Sequence, residues 1–274
     1  MTITAATKVY AVLGDPVLHS LSPVMHNGWI ADHGLDAVYV ALPLKSEDPA
    51  AAIRALSGLA GANVTLPHKE AAARAAGWAE GDVANVLRWA PDGSLSAFNT
   101  DGVGFISSLE ERVPDWLYQV TNVVIVGAGG AALAIGRALE TSVGRLSFVN
   151  RTHQRAEAVA AAMTFIDADA RPWSELENAF ASADLIVQAT TLGMQGAASP
   201  TWPVDACKPS AIIADIVYRP LETDLLRAAR ARGLTTIDGL GMLIHQGARS
   251  FELWFGIAPD INKARARLMS ALSA

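Results

Sequence analysis

The sequence is short of the features that mark secreted, nucleic-acid-binding and membrane proteins. One cysteine, Cys207, stands among 274 residues, so no internal disulfide can form. A reducing cytoplasmic location is the expectation. Its neighbours Ala206, Lys208 and Pro209 suggest a loop thiol without a partner. Charge is sparse, at 18%, and has no positive excess: 21 Lys and Arg face 27 Asp and Glu, a formal charge of −6. A nucleic-acid footprint would be basic. An anionic substrate must therefore be held locally, by hydroxyls, amides or a lysine. No apolar run reaches the roughly 18 residues of a membrane helix. The opening MTITAATKVYAVLG has no long apolar region before the first strand signal, so no signal peptide is expected. The histidines (His19, His26, His33, His68, His153 and His245) show no HxxxH or HxH spacing, and no CxxC pair exists. No metal site is expected from these spacings. There is no G-x-S-x-G elbow for a serine nucleophile.

What is present is apolar residue, 51% of the chain, enough for one large or two medium cores. The most informative stretch is Asn122 to Thr152. Val123 to Val126 is a β-branched run suited to a buried strand. Gly127, Gly129 and Ala132 then match G-x-G-x-x-G/A. Such glycines allow a tight turn and let backbone N–H groups approach a pyrophosphate at a helix N-terminus. A helix and a second strand, Leu146 to Val149, follow, which is the context that a dinucleotide site needs. The strand ends in Asn150-Arg151-Thr152. An NAD site usually carries an acidic residue there for the ribose 2′-OH, whereas an arginine suits a 2′-phosphate. The stretch therefore reads as an NADP(H) site, with Arg151 and Arg155 on the phosphate. The plainer alternative is a glycine-rich turn in an ordinary α/β protein.

Strands and helices alternate along the rest of the chain, which predicts an α/β fold with parallel sheets. Strands are expected at Val9–Leu13, Val38–Leu42, Gly61–Thr65, Leu185–Gln188, Ala211–Ala214 and Thr235–Ile237. A hairpin is expected over Val86–Ala90 and Leu95–Phe98. Ser22 is placed as an N-cap, with Pro23 opening a helix to about Asp32. Val113–Thr121 reads as a linker, and long helices are expected from Met242 and from about Asp260. Residues 1–112, completed by 241–274, are expected to bind substrate; residues 113–240 should form a Rossmann-type NADP domain, with a cleft between the two.

Polar clusters fall at strand ends, where such sheets bind ligands. Ser20 and Ser22 beside a helix N-terminus suit a carboxylate, against simple capping by Ser22. Asn63, Thr65 and Lys69 form a second cluster. A lysine in a closing cleft can act as general acid or base, against the usual solvated lysine. Asn99-Thr100-Asp101-Gly102 is the third, with Asp101 either capping a helix or binding substrate hydroxyls and pairing with Lys69. Gln246 can donate and accept, which suits a polyol. Tyr218 follows a strand end and could line the same cleft.

These residues resemble the shikimate dehydrogenases, NADP-dependent enzymes of aromatic amino-acid biosynthesis. Gly14-Asp15-Pro16 through His19-Ser20-Leu21-Ser22-Pro23 to His26-Asn27 is similar to that family's G-x-P-x-x-H-S-x-S-P-x-x-H-N. Asn63 to Lys69 is similar to N-V-T-x-P-x-K, Asn99 to Gly102 to N-T-D-G, and Gly127 to Ala131 to G-A-G-G-A. Asn150-Arg151-Thr152 with Arg155, Asp215 to Tyr218, and Gly239 to Gln246 resemble its later motifs. The resemblance implies reversible reduction of 3-dehydroshikimate to shikimate, an oxidoreductase acting on CH-OH. Lys69 and Asp101 would be the catalytic pair. Ser20 and Ser22 would hold the carboxylate; Thr65, Asn85, Asp101 and Gln246 would hold ring hydroxyls, with Asn63 and Tyr218 beside them. Gly127, Ala128, Gly129, Gly130, Ala131, Asn150, Arg151, Thr152, Arg155, Thr190 and Ile216 would contact the cofactor, and Gly239 and Met242 the nicotinamide. The expected assembly is a monomer or homodimer working on a small molecule, without nucleic acid or membrane. The chain departs from the pattern at Val86, where a threonine is usual, at Gln188, where an asparagine is common, and in a shortened segment between Lys69 and Asn85. Two rivals remain: a dehydrogenase of quinate or a related polyol, for which Ser22 and Arg151 are less suited, and a non-catalytic NADP-sensing protein.

Overall fold

The structure, a computed structural model, describes residues 2–273. It divides into two compact units, Met1–Thr100 with Ile244–Ala274, and Asp101–Leu243.

The first unit opens with β1 (Lys8–Gly14), α1 (Ser22–Asp32), β2 (Ala37–Pro43) and α2 (Pro49–Ala55). It continues through β3 (Gly61–Val64), α3 (Lys69–Ala75), β4 (Trp78–Ala79), β5 (Val86–Trp89) and β6 (Leu95–Phe98). The six strands form one sheet in the order β2-β1-β3-β5-β6-β4. Strands β1, β2 and β3 run parallel, because helices connect them. The expected hairpin, β5 and β6, is antiparallel and joins the sheet by pairing β5 with β3. Ala11, Leu13, Ala62 and Val64 bury one face of the sheet with the alanine face of α3 (Ala71, Ala72, Ala75). Small side chains let that short helix lie close to the strands.

The second unit holds α4 (Asp101–Arg112), α5 (Trp116–Gln119), β7 (Asn122–Val126), α6 (Gly130–Leu139), β8 (Arg145–Asn150) and α7 (His153–Ala161). Then come β9 (Ala168–Pro172), α8 (Leu176–Ser182), β10 (Leu185–Gln188), β11 (Ile212–Asp215), α9 (Asp224–Ala231) and β12 (Thr235–Ile237). Its six strands are all parallel, in the order β12-β11-β10-β7-β8-β9. The chain starts in the middle of this sheet, fills one side and then the other, so the strand order reverses beside β7. That is where such sheets bind dinucleotides. Both faces are covered: Val123 and Ile125 of β7 enter one apolar core, Val124 and Val126 the other. Successive side chains on a strand point to opposite faces, so a continuous apolar run marks a strand buried on both. Helix α10 (Gly239–Phe255) carries the chain back to the first unit, and α11 (Ile261–Ser273) closes it. Arg267 of α11 grips Asp32 of α1 through two bonds of 2.6 and 2.9 Å.

Several expectations are corrected. Ser22 is not the N-cap of α1; Leu21 holds that position, and no side chain caps the helix. Pro23 does sit in its first turn. The linker over Val113–Thr121 contains a helical turn, α5, anchored by the buried Trp116. Helix α10 starts at Gly239, three residues before the expected Met242. Cys207 lies in a loop and forms no disulfide, as expected, but its side chain is buried in the apolar core beside β11, and burial pushes its thiol pKa up. Among the described residues no helix is long and apolar enough to cross a membrane, and no cluster of His, Cys, Asp and Glu could hold a metal ion.

Candidate active site

In the first unit the expected ligand-holding residues gather at the ends of β1, β3 and β5. The Ser20 hydroxyl accepts the Ser22 N–H at 3.2 Å, so the two serines are fixed relative to one another. Ser22 is buried, and its hydroxyl bonds the Tyr39 phenol. Burial keeps that phenol protonated, and it donates to Asn63 Oδ1 at 2.8 Å. Asn63 spends both amide hydrogens, on the Asn85 carbonyl (3.1 Å) and the Ser250 hydroxyl (2.8 Å). Asn85 Oδ1 accepts the Thr100 N–H at 2.7 Å, while its Nδ2 donates to Thr100 Oγ1 (3.1 Å) and Gln246 Oε1 (3.2 Å). The Thr100 hydroxyl and the Ser250 hydroxyl each lie 3.0 Å from the Gln246 carbonyl.

Asn63, Asn85 and Gln246, from β3, the end before β5 and α10, are thus locked in one buried rack. An unpaired buried amide costs about 1–3 kcal/mol, so each bond also fixes a rotamer. Thr100, from the third polar cluster, completes the rack together with Tyr39 and Ser250, which were not singled out from sequence. Their partners lie up to 187 residues away, which no local pattern reports.

Lys69 is the first residue of α3 and half-buried. Its carbonyl accepts the Ala84 N–H at 2.9 Å, which draws the shortened segment before Asn85 against the start of α3. Asn99 ties down the same segment: its Nδ2 donates to the Val83 carbonyl (3.0 Å) and its N–H to Glu80 (3.1 Å). Val86 is fully buried, paired with Asn63 and Phe98 in the sheet, so its side chain packs in the core. Thr65 follows β3 and its N–H reaches the Leu13 carbonyl at 2.8 Å. Asp101 is the buried first residue of α4, and Tyr218 is half-buried after β11. Both belong to the second unit, unlike the other substrate candidates.

The second unit supplies the dinucleotide half. Gly127 sits at φ +126, and a Cβ there would stand 2.8 Å from the Ala189 carbonyl oxygen and 3.0 Å from Thr190 Cγ2. Only glycine makes that turn at no steric cost. Gly129 caps α6, and the space a Cβ would enter there is open. With Ala128, Gly130 and Ala131, this leaves the helix's first N–H groups accessible to an anion. Asn150 turns the chain after β8 by donating to the Thr152 carbonyl at 2.9 Å. Arg151, Thr152 and Arg155 are exposed around the start of α7. No acidic residue stands at that strand end between Asn150 and Arg155. Thr190 and Ile216 follow β10 and β11, and Gly239 and Met242 open α10. A Cβ on Gly239 would collide with the Ile216 carbonyl oxygen, so glycine is needed for α10 to begin there. Asp215, at the end of β11, is buried, and desolvation pushes its carboxyl up to about 6 despite bonds from Val217, Thr223 and Gln188.

Three family profiles match in chain order. The shikimate dehydrogenase substrate binding domain covers residues 12–86, shikimate / quinate 5-dehydrogenase residues 110–196, and the shikimate 5'-dehydrogenase C-terminal domain residues 239–269. The chain is 44% identical over 273 residues to a shikimate dehydrogenase (NADP(+)) of Rhodospirillum rubrum, covering 96% of each. The chain belongs to the shikimate dehydrogenase family. A second family member, from Paracoccus denitrificans, is 39% identical over 95% of both chains. Among solved structures, shikimate 5-dehydrogenase from Thermus thermophilus in complex with NADP(H) and shikimate aligns with a TM-score of 0.85 at 34% identity, covering 96% of this chain and 99% of that one. Quinate dehydrogenase from Corynebacterium glutamicum in complex with NAD aligns with a TM-score of 0.85 at 29% identity, covering 96% and 99%.

Proposed function

We propose that this chain catalyses the NADP-dependent, reversible reduction of 3-dehydroshikimate to shikimate, in the cytoplasm, as a monomer or homodimer. The observation that carries the reading is its full-length similarity to NADP-dependent shikimate dehydrogenases. The first unit would bind substrate and the second the cofactor. The glycine turn from Gly127 to Ala131 would receive the pyrophosphate, and Arg151 and Arg155 the 2′-phosphate. NADPH, when bound, supplies hydride to the substrate's carbonyl carbon. The Lys69–Asp101 pair gives the carbonyl oxygen its proton in that direction and removes it in the other. Ser20 and Ser22 hold the carboxylate, while Thr65 and the rack of Asn63, Asn85 and Gln246 read the ring hydroxyls. The amides are fixed in orientation by their mutual bonds, which suits reading hydroxyls at set positions.

Quinate is the competing substrate, since the C. glutamicum quinate dehydrogenase aligns as well in structure as the shikimate enzyme does. Steady-state rates on shikimate and quinate, each with NADP+ and NAD+, separate them. Shikimate with NADP+ is expected to give the highest kcat/KM. Faster turnover of quinate with NAD+ overturns the proposal, and turnover of neither acid by a protein that binds NADP+ favours a sensing role. Arg151→Glu replaces a cation by the acidic residue typical of NAD sites. Loss of charge-assisted bonds worth about 1.5–3 kcal/mol should raise KM for NADP+ by roughly 10- to 100-fold. KM for NAD+ should change little, and an equal rise for both cofactors would remove Arg151 from the phosphate.

A further inference from the structure

Gln188 and Asp215 occupy the last rung of the parallel sheet in the second unit. Gln188 pairs in register with Val126 of β7 on one side and Asp215 of β11 on the other. Both side chains are almost wholly buried. Their bonds leave the sheet and hold the loops that follow it. Gln188 Oε1 accepts the Thr190 N–H, and its Nε2 donates to the Leu192 carbonyl (3.1 Å) and to Asp215 Oδ1 (3.2 Å). Asp215 Oδ1 also accepts the Val217 N–H at 2.9 Å, and Oδ2 accepts the Thr223 hydroxyl at 2.7 Å. The Gln188 amide has then used both hydrogens, and both Asp215 oxygens are engaged.

The two loops so tied abut the glycines of the dinucleotide half. Ala189 and Thr190 stand against Gly127, and Ile216 stands against Gly239. A continuous set of contacts runs from the glycine turn through Thr190, Gln188 and Asp215 to Ile216 and the start of α10. The glutamine side chain is long enough for one amide to reach Leu192 and Asp215 together.

We propose that Gln188, Asp215 and Thr223 form a positioning clamp that sets the two cofactor-facing loops, and so the affinity for NADP(H), without touching the cofactor. This rests on the reading of the second unit as an NADP site. The clamp positions residues; it transfers nothing. Its loss should loosen Thr190 and Ile216 together, because they share one buried carboxylate as anchor.

The test measures NADP+ dissociation constants by fluorescence titration, alongside steady-state kinetics and thermal unfolding, on wild type, Gln188→Leu, Thr223→Val and Thr223→Ser. Gln188→Leu keeps the side chain's bulk and removes every bond. Thr223→Ser keeps the hydroxyl and serves as the conservative rescue. The expected result is an NADP+ dissociation constant and KM raised about tenfold in Gln188→Leu and severalfold in Thr223→Val. Thr223→Ser should bind as wild type does, and shikimate KM should stay constant throughout. If Gln188→Leu and Thr223→Val unfold at lower temperature yet bind NADP+ as wild type does, the clamp is structural only and the inference falls. If shikimate KM rises in step with NADP+ KM, the effect is not confined to the cofactor loops and the inference also falls. Wild type that binds no NADP+ would instead refute the reading of the second unit itself.

Discussion

Lys69→Ala should lower kcat by about 10²–10⁴-fold, the range in which a positioned proton donor contributes, while NADP+ binding stays close to that of wild type. The expectation rests on what the substitution leaves in place. Lys69 opens α3, a helix whose buried residues are Ala71, Ala72, Ala73 and Ala75. Alanine is the best helix former, so the helix gains rather than loses propensity. The tie to the segment before Asn85 uses the Lys69 carbonyl, which the substitution keeps. The glycine turn and the arginines at 151 and 155 belong to the other unit. The substitution removes the side chain beyond Cβ, and with it the ammonium group. Lys69→Arg is the sharper companion: a guanidinium keeps the charge but cannot be deprotonated at working pH. If Lys69 moves a proton, arginine should be nearly as inactive as alanine. Near-wild-type turnover by Lys69→Arg would reduce Lys69 to an electrostatic role, and turnover by Lys69→Ala would remove it from the reaction. Asp101→Asn should likewise cut kcat, since an amide cannot exchange a proton with substrate.

Much of this architecture is legible in the chain because strands buried on both faces leave no ambiguity. Val123 to Val126 is apolar at every position, and a glycine turn with a helix can follow it in few ways. The misses share a physical cause. Strand β9, Ala168–Pro172, lies at the sheet edge with every residue half-buried, so it shows neither a continuous apolar run nor alternation. Helix α8 is only seven residues long, with Leu176, Ala179 and Phe180 facing the core. Ser22 looks like a cap by residue type and by the proline after it, yet the helix includes it and its hydroxyl turns inward to Tyr39. In the site, motif residues were recognisable but their wiring was not. Nothing near Asn63 announces Ser250, and nothing near Gln188 announces Asp215, because those bonds form only when separate strands and helices come together. Gln188 is visible in sequence as an oddity. Its meaning depends on the rung it shares.

His26 carries the largest expected effect on stability. Its ring is fully buried, stacked on Tyr39 at 4.3 Å and edge-on to Trp29 at 5.3 Å, with Phe251 and Trp254 close by. Neither ring nitrogen has a hydrogen-bond partner. The titratable group against it is the Tyr39 phenol, which is neutral throughout the acid range. Burial pushes the imidazole down to about 3. A histidine depressed in the folded state contributes stability that is present above its ordinary pKa, near 6.5, and lost as pH falls toward 3. Between pH 6.5 and 4.5 the loss amounts to about 2–3 kcal/mol, at about 1.4 kcal/mol per pH unit. Asp215 acts in the opposite sense. Its carboxyl is raised to about 6, so its destabilisation at neutral pH is relieved as it takes up a proton. That relief is about 2 kcal/mol over the same interval. Wild type should therefore show little net change between pH 6.5 and 4.5. His26→Phe keeps an aromatic ring against Tyr39 and Trp29 and removes the group that resists protonation. Relative to wild type, its unfolding free energy should rise by about 2–3 kcal/mol as pH drops from 6.5 to 4.5. The ion pair of Asp32 with Arg267 does not confuse the comparison, because its carboxyl is held below the usual range and titrates at lower pH. Denaturant unfolding of both proteins at the two pH values checks this. Parallel pH profiles for wild type and His26→Phe would mean that the imidazole finds water or a partner when protonated, and that its burial does not limit acid stability.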